Sequence, residues 1–158
     1  MRKIKKNNKQ YIPDVKYNSR LVTYFINHIM KKGKKNIAYK IFYKTLDIIN
    51  DKFKLKNIKP LNILKIAIKN ASPEVKIKTR KIGGSTYSIP VKINENQKKY
   101  LSIKWLIVNA KNRKEKNMSE KLANEIISTY NGISNTIKNK HEIHKRAESN
   151  KAFSHFKF

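Results

Sequence analysis

Val75-Lys76-Ile77-Lys78-Thr79-Arg80-Lys81-Ile82-Gly83-Gly84-Ser85-Thr86-Tyr87-Ser88-Ile89-Pro90-Val91 is the stretch in which the periodicity of the chain changes. Val75, Ile77 and Thr79 alternate with Lys76, Lys78 and Arg80, which gives a strand one basic face. Gly83-Gly84 supplies a two-residue turn, and Tyr87, Ile89, Val91 and Ile93 alternate on the way back, so residues 74–93 read as a β-hairpin. Pro90 lacks an N–H for a central ladder and suits an edge strand. No third strand is visible in the sequence. A two-stranded ribbon is marginal alone in water, so this one must lean on helices or on a partner.

The flanking sequence repeats at helical spacing. After Ile12-Pro13-Asp14, read as an extended turn, Ser19 can cap a helix whose apolar face is Leu21, Val22, Phe25, Ile26, Ile29 and Met30. Lys31-Lys32 complement its dipole and Gly33 offers a left-handed exit. A second helix starts near Lys34, buries Ile37, Ala38, Ile41, Phe42, Thr45, Ile48 and Ile49, and fades at Asn50-Asp51-Lys52 into a lysine-rich loop. Pro60 opens a third, with Leu61, Leu64, Ala67 and Ile68 as its stripe and Ser72-Pro73 as its end. Beyond Asn96, Leu101, Trp105 and Val108 lie along one line, widened by Ile103, Leu106 and Ile107, a girth that suits a central helix. Asn117 and Glu120 read as a capping box for a helix carrying Leu122, Ala123, Ile126, Ile127 and Tyr130. A last helical segment, His141 to Asn150, has few apolar side chains and needs packing to persist. The expected architecture is mainly α: a bundle of about six helices with one projecting hairpin between the third and fourth. Residues 1–158 are read as one domain, with a basic arm over 1–11, three helices over 12–73, the hairpin over 74–93, and three helices and a tail over 94–158.

Charge decides the class of partner. The chain has 158 residues, 38 Lys and Arg against 10 Asp and Glu, and a formal net charge of +28. Such self-repulsion opposes compaction, and a polyanion that neutralises it is the economical explanation. Nucleic acid is the commonest such partner. An excess of Lys, Asn and Ile over Arg and Gly also fits drift in an A+T-rich genome, but the codons for Asp and Glu tolerate that drift too, so it does not explain the scarcity of acids. There is no cysteine, hence no disulfide framework or thiolate metal site. The longest apolar run, Trp105-Leu106-Ile107-Val108, falls far short of a membrane span, and Met1-Arg2-Lys3-Ile4-Lys5-Lys6 has no apolar stretch behind it to make a secretory signal.

Convergent acid–base chemistry is not evident. The ten acids are scattered among lysines and suit capping and surface pairing. His141 and His144 could share a helix face, but they do not have H-E-x-x-H spacing and no third metal ligand is placed near them. No cofactor, metal or catalytic residue is nominated, and the chain is not expected to be an enzyme. The cations, by contrast, are placed. Lys76, Lys78 and Arg80 share one strand face, with Lys81 continuing toward the turn, and Lys31, Lys32, Lys34 and Lys35 crowd a corner between two helices.

Three blocks carry a family resemblance. They are Ser19-Arg20-Leu21 with Phe25-Ile26, Gly33-Lys34-Lys35, Ile41-Phe42 and Thr45; the hairpin quoted above; and His144-Lys145-Arg146-Ala147-Glu148-Ser149-Asn150-Lys151-Ala152-Phe153-Ser154-His155-Phe156. In this order the chain resembles the small-subunit ribosomal protein seven family over nearly everything after the first ten residues. The resemblance implies a structural constituent of the small ribosomal subunit that binds rRNA of the head, the 3′ major domain, directly. It further implies nucleation of head assembly, a position bordering the exit-site tRNA, and neighbouring small-subunit proteins of head and platform as partners, with no membrane.

The rRNA-binding residues expected on this reading are Arg2, Lys3, Lys5, Lys6, Lys9, Arg20, Lys31, Lys32, Lys34, Lys35, Lys76, Lys78, Arg80, Lys81, Lys111, Arg113, Lys114, Lys116, Lys145 and Arg146. Gly83, Gly84, Ser85, Thr86 and Tyr87 would lie nearest the tRNA. The chain departs from the family pattern by an insertion within residues 131–138, by Arg146 where methionine is usual, and by Lys81 and Lys157 where arginine is usual. Lysine gives up bidentate phosphate geometry at such positions. Details around Asn36-Ile37-Ala38-Tyr39 and the Lys, Asn and Ile drift suit a plastid-type organelle ribosome, with a mitochondrion or an A+T-rich bacterium as alternatives. From another class, a nucleoid-type DNA-binding protein would use the same charge.

Overall fold

A computed structural model describes residues 11–56 and 58–156. They form two compact units, divided between Lys40 and Ile41. The described residues hold six α-helices, two short 3-10 segments and one two-stranded antiparallel sheet. The elements are α1 (Arg20–Ile29), α2 (Lys35–Phe53), α3 (Pro60–Ala71), β1 (Val75–Ile82), β2 (Ser85–Lys92), α4 (Glu95–Lys111), α5 (Met118–Tyr130) and α6 (Asn135–Ser149), with 3-10 turns at Lys54–Lys56 and Lys151–Phe156. The hairpin stands between the third and fourth helices, as the change of periodicity implies.

In the first unit, Asp14 is buried and its carboxylate accepts the backbone N–H groups of Lys16 and Tyr17 at 3.2 and 3.1 Å. This closes the turn before α1. Thr23 Oγ1 ties α1 back to the Ile12 carbonyl at 2.8 Å. Val22, Phe25, Ile26 and Ile29 are buried, so the helical face read from spacing is real. Ser19 occupies the N-cap position without a side-chain cap bond, and α1 ends at Ile29 rather than running to the lysines. The left-handed exit is shared: Lys32 stands at φ +49° and Gly33 at +73°.

In the second unit the core is built by Phe42, Leu46 and Ile49 of α2, Ile63, Leu64 and Ala67 of α3, Ile103, Leu106 and Ala110 of α4, and Leu122 and Ile126 of α5. Each fully buried aliphatic or aromatic side chain contributes about 1.5–3 kcal/mol relative to exposure. The α4 stripe differs from the expected one. Ser102, Ile103, Leu106, Ile107 and Ala110 turn inward, while Leu101 and Trp105 are half-buried and Val108 is exposed. These inward residues, at i, i+1, i+4, i+5 and i+8, lie on the side of α4 that meets α3, α5 and α6, which leaves the Leu101–Trp105–Val108 line as surplus apolar surface.

The largest departure is α6, which begins six residues before the expected start. Ser134 caps it, its Oγ accepting the Ile137 N–H at 3.2 Å. The anchor is a polar cluster. Glu125, 1% exposed, accepts from Thr136 Oγ1 at 2.7 Å and from Arg113 Nε at 2.9 Å, and Asn109 Nδ2 donates to Thr136 Oγ1 at 3.1 Å. Three helices and the α4–α5 link thus meet on one carboxylate. Apolar periodicity cannot register a helix start held by a serine, a threonine and a buried acid. The expected insertion region resolves into a short turn, with Gly132 at φ +84° between α5 and the Ser134 cap.

The hairpin leans on helices, as its marginal size requires: β1 lies against α6, and β2 against the C-terminal 3-10 segment. Thr136→Val keeps shape but deletes the hydroxyl that bridges Glu125 and Asn109. It is expected to cost about 2 kcal/mol in urea denaturation, whereas the exposed substitution Glu142→Ala is expected to stay within about 0.5 kcal/mol.

Candidate nucleic-acid interface

The first unit carries one cluster of cations. Lys31, Lys32, Lys34 and Lys35 are exposed around the tight turn between α1 and α2, where Lys34 N–H donates to the Lys31 carbonyl at 3.0 Å. The positive φ angles of Lys32 and Gly33 fold these residues into one corner. Lys35 Nζ lies 5.7 Å from the Tyr39 ring centroid, close enough for a cation–π contact that leaves the ammonium accessible. Arg20 is exposed at the first turn of α1. Arg2, Lys3, Lys5, Lys6 and Lys9 lie outside the described residues.

The second unit carries the rest. The hairpin register pairs Lys76 with Val91, Lys78 with Ile89 and Arg80 with Tyr87. Directly opposed residues share a face, so the basic residues of β1 stand beside the apolar residues of β2. The two strands are out of phase. Val75, Ile77 and Thr79 share the other face with Lys92, Pro90 and Ser88, and Lys81 falls on that face opposite Thr86. Lys81 therefore does not extend the Lys76–Lys78–Arg80 row. Lys78 and Arg80 are exposed, while Lys76 is half-buried and its ammonium donates to Gln97 Oε1 at 2.8 Å. Arg80 NH1 donates to the Phe156 carbonyl at 3.3 Å, and the Tyr87 ring lies 5.2 Å from Phe153 and 5.8 Å from Phe156. Gly83 and Gly84, at φ +55° and +89°, make the tight turn, and they are exposed together with Ser85 and Thr86.

The α4–α5 link divides the cations expected there. Lys111, Lys114 and Lys116 are exposed. Arg113 is turned inward: besides Glu125 it donates to Ser128 Oγ at 2.7 Å, the Asn124 carbonyl at 3.1 Å and Glu115 Oε1 at 3.4 Å. Its guanidinium is committed to the fold. Asn124 Nδ2 donates to Glu115 at 2.9 Å, and chiefly this bond holds the Glu115 carboxyl below the usual carboxylate range. Glu125 breaks the expectation that the acids serve capping and surface pairing, whereas Asp14 caps backbone N–H groups, and Asp51 with Lys54 and Glu95 with Lys98 pair at the surface, each at 2.8 Å.

On α6, Lys145 and Arg146 are exposed, and His144 Nε2 accepts the Glu74 N–H at 3.2 Å, tying the helix to the base of the hairpin. Hairpin, α4 and α6 enclose a cleft. Val75 and Ile77 line it from the hairpin, Leu101 and Trp105 from α4, and Ile143 and Arg146 from α6. Sequence reading assigned Trp105 to the core and missed this role; the signal was an apolar girth wider than one buried face needs. No group of His, Asp and Glu among the described residues could hold a metal ion, and no described helix is long and apolar enough to cross a membrane.

Placed cations on a helical body with a basic hairpin agree with what comparison finds. Residues 1–151 match the family of ribosomal protein S7p/S5e. The chain belongs to that family. Among its relatives, the small ribosomal subunit protein uS7 of Amoebophilus asiaticus is 44% identical over 157 residues, covering 99% of each chain. The protein of the same name from Natranaerobius thermophilus is 43% identical over 146 residues, 92% of each chain. That of Porphyromonas gingivalis is 42% identical over 158 residues, the whole of both.

Within this S7p/S5e chain, Arg113 and its basic neighbours separate cleanly. Arg113→Ala strands the buried Glu125 charge and is expected to destabilise by about 3 kcal/mol. Lys114→Ala and Lys116→Ala are expected to remain within about 0.5 kcal/mol of the parent in the same chemical-denaturation measurement.

Proposed function

We propose that this chain is a structural constituent of the small ribosomal subunit, acting in translation by binding rRNA of the head directly and nucleating head assembly. The observation that supports this most is family membership across nearly the whole chain, joined to cations that are exposed and grouped. The work is binding, not turnover. Exposed lysines and arginines at the Gly33 corner, on β1, on the α4–α5 link and on α6 neutralise phosphates, and the release of counterions drives association. The N-terminal arm, with Arg2, Lys3, Lys5, Lys6 and Lys9, is assigned to the same rRNA by its charge. The exposed hairpin tip, Gly83 to Thr86 with Tyr87 behind it, is assigned to the exit-site tRNA path, and neighbouring head and platform proteins complete the surroundings.

Arg113 is the exception in the set, because its donors are already engaged. Compartment is read from composition: the Lys, Asn and Ile excess favours a plastid-type organelle, with a mitochondrion or the cytoplasm of an A+T-rich bacterium as the alternatives, and the relatives named above are bacterial.

Co-sedimentation with small subunits, and an affinity for head-domain rRNA that falls steeply between low and moderate salt, are the expected results. Absence from purified small subunits would overturn the proposal, as would preference for duplex DNA over the folded rRNA fragment. Replacing Lys76, Lys78, Arg80 and Lys81 together with Ala should weaken rRNA binding more than replacing Lys52, Lys54, Lys56 and Lys59. Equal losses would mean that total charge alone matters.

A further inference from the structure

The cleft between hairpin, α4 and α6 has a composition that generic phosphate binding does not require. One wall is Leu101 and Trp105 of α4, spaced i, i+4, and the ammonium of Lys76, which also lines the cleft, donates to Gln97 Oε1 one turn before Leu101 at 2.8 Å. Another wall is Ile143 and Arg146 of α6 with Asn150 at its C-cap. A phosphate needs neither an indole nor a row of aliphatic side chains. An apolar protein side chain, in turn, has no use for two cations, and no described acidic residue lines the cleft to neutralise them. A flat aromatic group bearing a phosphate satisfies both halves.

We propose that this cleft takes an unpaired RNA nucleotide: the base lies against Trp105 and the aliphatic walls, Lys76 and Arg146 take the flanking phosphates, and Asn150, whose amide nitrogen donates to the Arg146 carbonyl, accepts from the base edge through Oδ1. Stacking on an aromatic face and charge on the backbone are the two terms by which unpaired nucleotides are held. A base-paired duplex cannot present a free base face, so the site discriminates against double strands. Leu101 and Trp105, surplus to the core of α4, thereby acquire a function. This inference rests on the rRNA-binding reading and adds to it a site and the state of the nucleotide that fills it.

Trp105 is the only tryptophan of the chain, so its fluorescence reports on this cleft alone. The intact protein would be titrated at fixed salt with a short oligoadenylate, with the same oligonucleotide made abasic, and with a duplex of matched charge. Oligoadenylate is expected to quench Trp105, while the abasic strand and the duplex bind by charge without quenching. The double variant Lys76→Ala with Arg146→Ala should weaken the quenching titration at least about tenfold. No change, or the same change with all three ligands, would overturn the proposal. In parallel, anisotropy of a labelled head-domain rRNA fragment tests the parent reading: binding without a Trp105 response defeats the cleft and spares rRNA recognition, whereas no binding to that fragment defeats the functional reading itself.

Discussion

A carboxylate that is 1% exposed cannot stay charged among apolar helices unless its lone pairs are answered, and the second unit is arranged around answering those of Glu125. Arg113 comes to it from the α4–α5 link, Thr136 from the first turn of α6, and Asn109 joins through the Thr136 hydroxyl. The ion pair need not add much net stability over an apolar replacement. What it does is fix direction, because hydrogen bonds of 2.7–2.9 Å tolerate little rotation of the helices that supply them. With α6 fixed, β1 has a surface to lie on, His144 can accept the Glu74 N–H, and the hairpin acquires the support its own size denies it.

This hierarchy explains which parts were legible in the sequence. The hairpin, the Gly83-Gly84 turn and most of the buried faces of α1, α2, α3 and α5 follow from periods of 2 and 3.6, although Ile37, expected inward, is exposed, and Leu46 and Ile63, outside the expected stripes, are fully buried. The start of α6 does not follow from either period, since Ser134, Thr136 and Glu125 read as polar surface until their mutual distances are known. Helix caps mislead in a similar way. Asn117 holds the N-cap position, yet its amide donates to Glu120 Oε1 at 2.8 Å instead of accepting a backbone N–H, while Asn94, with no acid three residues on, accepts the Gln97 N–H at 3.0 Å. Residue type proposes a cap; local geometry decides it.

The arrangement of the cations was legible in outline only. Counting charge identifies a polyanion as partner, and motif order identifies the family, but neither distinguishes Arg113 from Lys114. One residue apart, they differ because guanidinium geometry can satisfy Glu125, Ser128 and the Asn124 carbonyl at once, whereas the ammonium of a lysine is better left in water. The strand face was legible for Lys76, Lys78 and Arg80 but not for Lys81, for a related reason. Alternation along β1 is visible in the sequence, but which residues of β2 join that face depends on pairing, and pairing brings Val91, Ile89 and Tyr87 beside the cations.

That pairing makes the ribbon unlike an ordinary amphipathic hairpin, in which one side is abandoned to solvent and the other to the core. Here one side sets Lys76, Lys78 and Arg80 against Val91, Ile89 and Tyr87, and the other sets Val75, Ile77 and Thr79 against Lys92, Pro90 and Ser88, so neither side is wholly apolar or wholly polar. Hydrophobic patterning normally punishes a slipped register by exposing every buried side chain at once. In this ribbon that penalty is weak, and alignment passes instead to the two left-handed glycines at the tip. The tongue is therefore aimed from its far end, and its two sides differ in chemistry.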